Sequence, residues 1–231
     1  MEQLVLELAA PEPPAFENFL AGRNAEVAAA VARFASGAAT ETGVLLWGTP
    51  AAGKTHLLKA AVAAAAARGA VATYFSDPGA FAGGDPDALG AVALLAVDDI
   101  DRAEASAQSA LFTLYNALRA RGGHLIAASR QPLSALPLRD DLRSRLAWGL
   151  VYEVSPLADE EKPAALADYA RRRGFVLADD VIRYLLLHGR RDMTALCQTL
   201  AALDRHSLAT KRPVTVPLLR GWLQREMTLD R

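Results

Sequence analysis

The chain has 231 residues, 52% of them hydrophobic and 22% charged, with a formal net charge of -1. That describes a globular chain of one large or two small domains, without the charge surplus that would draw it generally to nucleic acid or an acidic membrane. The single cysteine, Cys197, excludes an internal disulfide and reads as a core thiol in a reducing compartment. No apolar run approaches the roughly 20 residues that span a bilayer, and the start lacks the basic-then-apolar layout of a signal peptide, so a cytoplasmic protein with no membrane partner is expected.

In chain order, residues 1–10 form a tail set off by Pro11, Pro13 and Pro14. Within it Gln3-Leu4-Val5-Leu6-Glu7-Leu8 alternates, so that Leu4, Leu6 and Leu8 share one face when extended. Such leucines suit either a partner's groove or a first strand on the chain's own sheet. Strands are predicted at 44–47, 71–75, 92–97, 124–128 and 150–154, and helices at 57–68, ended by Gly69, and 105–121, ended by Gly122-Gly123. Beyond Ser155-Pro156 only helical periodicity remains, at 160–173, 179–187, 191–208 and 217–226, with breaks at Gly174 and Gly189. The alternation argues for an α/β fold, an open and mostly parallel five-stranded sheet covered on both faces over 11–156. A small all-helical domain follows over 157–231. Arg171-Arg172-Arg173 is the one basic run, read as a solvated helix face.

Gly48-Thr49-Pro50-Ala51-Ala52-Gly53-Lys54-Thr55 fits G-x-x-x-x-G-K-[ST] at a strand-to-helix junction, the setting a phosphate-binding loop requires. Its two glycines let the backbone wrap a diphosphate, with N–H groups and a helix N-terminus facing the anion. Lys54 reaches the terminal phosphate oxygens, the Thr55 hydroxyl holds Mg²⁺, and His56 completes the expected nucleotide contacts. Lysine is otherwise confined to Lys59, Lys162 and Lys211. Asp98-Asp99, closing the apolar run Leu94-Leu95-Ala96-Val97, supplies the carboxylate that a Mg-nucleotide site needs, with Asp98 ordering Mg²⁺ through Thr55 or water. A turn or helix-capping aspartate is the plainer alternative. The four histidines show no metal-ligand spacing, and no Ser/His/Asp order points to hydrolase chemistry.

From about Pro14 onward these motifs and several others resemble, in order, the AAA+ module of the DnaA-related family, which comprises the replication initiator and Hda-type regulators. Phe16-Glu17-Asn18-Phe19-Leu20-Ala21-Gly22-Arg23-Asn24 resembles the segment that passes beside the adenine, which puts Leu20 and Asn24 among the nucleotide contacts. Asp98-Asp99-Ile100 is similar to the family's Walker B ending, with Ala110-Leu111-Phe112-Thr113-Leu114-Tyr115-Asn116-Ala117-Leu118 as the helix after it. Asp99 stands where many AAA+ ATPases carry a water-orienting glutamate, and the shorter carboxylate fits that task less well. Asp141-Leu142-Arg143-Ser144-Arg145-Leu146-Ala147-Trp148-Gly149-Leu150 resembles the arginine-finger segment, with Arg145 as the finger; by local sequence alone Arg145 reads as a surface residue paired with Asp140 or Asp141.

Arg191 matches the family's sensor 2 arginine, with Arg190 as the alternative, whereas Ser129-Arg130-Gln131-Pro132 departs from the sensor 1 pattern by lacking its aspartate. The resemblance therefore implies stable binding of ADP or ATP with Mg²⁺ and slow turnover at most. The tail resembles the sliding-clamp-binding peptide of Hda proteins, with Gln3 at the pocket rim and Leu4, Leu6 and Leu8 in the groove. Its implied partners are the DNA polymerase III sliding clamp (beta subunit) and DnaA, with DNA reached only through the clamp; self-association stays open. The sequence stops at Arg231, where an initiator would continue into a helix-turn-helix domain, so sequence-specific DNA binding is not expected. The implied role is negative regulation of replication initiation by promoting hydrolysis of DnaA-bound ATP. An autonomous ATPase, or a helicase-loader or initiator paralogue binding single-stranded DNA or helicase, are the competing readings.

Overall fold

Strands β1 (Gly43–Trp47), β2 (Ala72–Phe75), β3 (Leu94–Val97), β4 (His124–Ser129) and β5 (Leu150–Glu153) pair in the order β2-β3-β4-β1-β5, each pair parallel. The computed structural model describes residues 13–81, 89, 91–190, 192–210 and 213–229, and its tertiary contacts divide the chain after Pro156. The clamp-peptide residues Gln3, Leu4, Leu6 and Leu8, and Arg191, lie outside the described residues.

Period-two alternation sends neighbouring strand residues to opposite faces. Val44, Leu46, Leu94, Ala96 and Ile126 pack on one face beneath α1 (Ala25–Ser36) and α2 (Lys54–Ala67). Leu45, Leu95, Val97, Leu125 and Ala127 pack on the other beneath α3 (Ala105–Arg121) and α4 (Asp140–Ala147). Because both faces are covered, β1, β3 and β4 are apolar runs buried almost throughout, as parallel strands require. The expected α/β sheet is therefore present, and α1 and α4 add to the helices that the sequence predicts. In α1, Val27, Ala30, Val31 and Phe34 follow the i, i+3, i+4, i+7 spacing of a one-sided helix, and Gly37 ends it at φ 72°.

The second unit consists of α5 (Lys162–Arg172), α6 (Asp179–His188), α7 (Met193–Thr210) and α8 (Val216–Leu229). Leu166, Ile182, Leu185, Leu200, Leu203 and Leu219 form a core of its own. Cys197 on α7 is half-buried, and burial pushes its thiol up to about 11. No described helix is long and apolar enough to cross a membrane.

The basic run is a solvated face only in part. Arg171 and Arg172 pair with Asp168 at the surface, whereas the Arg173 side chain is 5% exposed and meets the 8% exposed Asp204 on α7, Nε to Oδ2, at 3.3 Å. A charge this buried depends on its partner, because the partner's loss leaves it desolvated without compensation. Asp204→Ala is expected to destabilise the helical unit by about 3–5 kcal/mol, and Arg173→Met combined with Asp204→Leu to recover most of that loss. Denaturant titration followed by helix signal decides it; a loss under about 1 kcal/mol for Asp204→Ala would mean that the pair behaves as a surface contact.

Candidate functional site

Parallel pairing brings the C-terminal ends of β1, β3 and β4 to one edge of the sheet, which is where open α/β sheets bind ligands. The loop after β1 and the start of α2 carry residues 48–55, the turn after β3 carries Asp98 and Asp99, and the end of β4 and the turn after it carry Ser129 and Arg130. Gly48 donates its N–H to Ser129 O at 3.3 Å, so the loop and the β4 turn are physically joined.

The loop needs its glycines. A Cβ on Gly48 would collide with the carbonyl oxygen of Val154, and Gly53 sits at φ 101° with its Cα face against the Phe19 ring, where a Cβ would come within 2.8 Å. Between them Ala51 also adopts a left-handed conformation, φ 61°. The bonds of α2 begin with Leu57 N–H to Gly53 O, so the N–H groups of Lys54, Thr55 and His56 belong to the helix end that faces an anion. Lys54 is buried, and its Nζ donates to the carbonyls of Gly48 at 2.7 Å and Thr49 at 2.9 Å. Burial holds its ammonium below the usual lysine range, and the nearby carboxylates of Asp98, Asp99 and Asp101 oppose that shift. A buried cation satisfied only by neutral oxygens is one that an anion would stabilise.

Thr55 Oγ1 donates to Asp98 Oδ2 at 2.5 Å, and Tyr74 OH donates to the same oxygen at 3.2 Å. Burial first, then the Asp98 charge, pushes the Tyr74 phenol upward, so it stays a donor. A threonine hydroxyl against a carboxylate is a hard-oxygen donor set that suits Mg²⁺. Asp99 occupies a left-handed conformation, φ 47°, and its carboxylate faces Arg130 Nη2 at 3.3 Å and Arg102 Nη1 at 3.9 Å. Arg130 also donates its backbone N–H to Asp101 Oδ1 at 3.1 Å. Arg130, in the segment that lacks the family's sensor 1 aspartate, thus pairs with Asp99.

Residues 15–24 lie over the loop and are anchored at both ends. The His56 ring, counted from sequence among the nucleotide contacts, turns to Ala15 O at 2.9 Å and packs on Phe19 with centroids 5.5 Å apart. Asn24 is buried, donating Nδ2 to Ser155 O at 2.8 Å and accepting the Ser155 N–H at 2.9 Å. Both amide atoms bond to the backbone after β5, so Asn24 holds the segment in place over the loop. Leu20 is half-buried in the same segment. Tyr74 joins the site without having been named by the sequence reading, and Phe19 and Arg130, named there only within longer segments, acquire specific contacts. Tyr74 gave a signal, as the penultimate residue of the strand beside β3.

Across α3 and α4 lies a second constellation. Buried Gln108 on α3 donates to Ala103 O and Pro137 O and accepts the N–H of Arg139 at 2.8 Å, fixing the entry into α4. There Arg139 pairs with Asp141 at 2.8 Å and Arg143 with Asp140 at 3.1 Å, while Arg143 also donates to Leu136 O and Leu138 O. Both aspartates that sequence proximity offers to Arg145 are thereby occupied. Among the described residues Arg145 has no carboxylate partner; its guanidinium lies over the rings of Trp148, at 4.1 Å from the centroid, and Phe112, at 5.6 Å. Arg190 pairs with Asp192 at 3.4 Å.

Two family models match the chain: "Bacterial DnaA ATPase domain" over residues 12–75 and "Hda, lid domain" over residues 159–223. Among solved structures, domain III of the Thermotoga maritima replication initiation protein DnaA is 20% identical, with a TM-score of 0.79 over 94% of this chain and 97% of that one. AMPPCP-bound DnaA from Aquifex aeolicus is 24% identical, with a TM-score of 0.72 over 86% of this chain. A replication initiator DnaA bound to AMPPCP and single-stranded DNA is 23% identical with a TM-score of 0.73, also over 86% of this chain. This chain covers 66% of each of those two longer initiator structures. These likenesses give the fold, and the two matched segments, near the start and in the helical unit, support an Hda/DnaA-related AAA+ protein.

Proposed function

We propose that the chain is a cytoplasmic negative regulator of replication initiation that completes the active site of ATP-bound DnaA in trans. In this reading Gln3, Leu4, Leu6 and Leu8 bind the DNA-loaded sliding clamp, and Arg145 is offered to the nucleotide of the initiator. The observation that carries the proposal is Arg145 itself. With Arg143 on the same helix spent on Asp140 and Arg139 just before it spent on Asp141, its guanidinium keeps its in-plane donors available, in a chain whose residues 159–223 match the Hda lid. A planar, permanently charged guanidinium against the charge that builds on a transferring phosphoryl group is worth about 10³–10⁵ in rate in other NTPases.

The chain's own nucleotide has a different task. Residues 48–55 would hold the phosphates of ADP or ATP, with Lys54 leaving the Gly48 and Thr49 carbonyls for phosphate oxygens; Thr55 and Asp98 would hold Mg²⁺, which supplies charge neutralisation. AMPPCP in the similar initiator structures supports an adenine nucleotide. Turnover is expected to be slow, since the Asp99 carboxylate that would orient a water faces Arg130 and Arg102. Nucleotide in this site then acts as structure, tying the loop, the Asp98 turn and α2 together.

Lys54→Ala removes charge-assisted bonds worth ~1.5–3 kcal/mol each and is expected to weaken ADP and ATP binding at least about tenfold, with loss of thermal stabilisation by nucleotide. Titration calorimetry reads this directly, and an unchanged affinity would show that the loop is no phosphate cradle.

The regulatory reading is tested by phosphate release from ATP-bound DnaA with DNA-loaded clamp present. Arg145→Ala should abolish stimulation while leaving nucleotide affinity and clamp binding intact, and Arg145→Lys should rescue poorly because the planar fork is lost. Leu4→Ala with Leu6→Ala should remove apolar anchors worth ~1.5–3 kcal/mol each and release the clamp without unfolding the chain. Stimulation by Arg145→Ala equal to that of the parent would end the finger assignment.

A further inference from the structure

We propose that Trp148 is a positioning residue for Arg145, holding its guanidinium ready for a partner's phosphates; this rests on the reading of Arg145 as a finger acting in trans. Trp148 caps the C-terminal end of α4, three residues after Arg145, and its backbone N–H bonds to Arg145 O at 3.2 Å. The indole is 55% exposed, although the neighbouring aromatic Tyr115 is fully buried. It lies 4.1 Å from the Arg145 guanidinium and 4.9 Å from that of Arg119, which comes across from α3. Two like charges over one ring repel, and the electron-rich ring face offsets that repulsion. Phe112 gives Arg145 a second aromatic contact at 5.6 Å.

The chemistry of the grip matters. An ion pair with Asp141 would occupy the in-plane N–H donors of Arg145, the same donors that recognise phosphate. Attraction to a ring face uses none of those donors in a hydrogen bond to a carboxylate and leaves them unspent. An unrestrained arginine also carries close to the largest rotamer entropy of any side chain, all of which would be lost on meeting a phosphate. Ordering it beforehand against a ring removes that loss from the encounter. Trp148 can therefore restrain Arg145 without neutralising or occupying it, which no carboxylate in α4 could do.

The test compares Trp148→Leu, which keeps apolar volume but has no ring face, with Trp148→Phe, which keeps a ring. In the isolated chain, NMR of the Arg145 Nε–H group should show a lower order parameter in Trp148→Leu and a nearly parental one in Trp148→Phe. In the phosphate-release assay, Trp148→Leu should lower the maximal stimulated rate about threefold to fivefold, the equivalent of an exposed cation–π contact, with the half-saturating concentration of chain unchanged within about twofold. Trp148→Phe should restore at least half of that loss. If Trp148→Leu changes only the half-saturating concentration, Trp148 is a docking contact and the proposal falls. It also falls if Trp148→Leu leaves the Arg145 order parameter at the parental value. The finger reading fails separately: Arg145→Ala would then stimulate like the parent, whereas failure of the positioning role alone leaves Arg145→Ala inactive and Trp148→Leu fully active.

Discussion

The parallel pairing of β1 between β4 and β5 is the constraint on which the rest of the first unit depends. It sets Gly48 against the backbone of Val154 on one side and joins it to Ser129 O on the other, so the phosphate loop leaves the sheet with no room for a side chain at its first residue. The same register carries β3 alongside β4 and delivers Asp98 to Thr55 across 43 residues of sequence. Strands buried on both faces resist any slip, because moving one residue along would turn every apolar side chain to the opposite layer. The site inherits its geometry from that packing. Its backbone can then be strained, as at Ala51 and Asp99 with positive φ, without loosening the fold.

Charge is distributed unevenly around this frame. At the nucleotide edge Lys54 is buried among carbonyl oxygens, and Asp99 is covered by Arg130 and Arg102. The site therefore has the donors of a phosphate cradle together with a carboxylate that is already engaged. Around α4 the balance is the reverse: Arg143 holds the loop before the helix, Arg139 is paired with Asp141, and Arg145 is held by aromatic faces. A protein that keeps its own nucleotide and acts on that of another would use both arrangements. The proposed regulatory role draws on this asymmetry.

Arg143 and Arg145 show how two arginines on one helix come to differ. Arg143 has its guanidinium against the Leu136 and Leu138 carbonyls, so it secures the backbone between β4 and α4. Substituting it would disturb the placement of the whole helix. Arg145, one half-turn further along, faces α3 and the exposed Trp148, where it meets rings instead of oxygens.

The sequence by itself determined what depends on local pattern. The spacing of Gly48, Gly53, Lys54 and Thr55, the alternation of apolar strands with helices, and the change to purely helical periodicity after Pro156 all follow from a few neighbouring residues, and the sheet and the helical unit answer to them. Which charges meet was decided by tertiary structure. Asp141 stands four residues before Arg145, the favourable arrangement for an ion pair within a helix. Yet Asp141 is taken by Arg139, because Gln108 on α3 fixes the backbone of Arg139 beside it. The Asn24 amide likewise went to Ser155, 131 residues away, and Arg130 went to Asp99 across two strand ends. These choices depend on which surfaces the packed sheet brings together, and a charged side chain with several partners in reach takes the one that the backbone already holds in place.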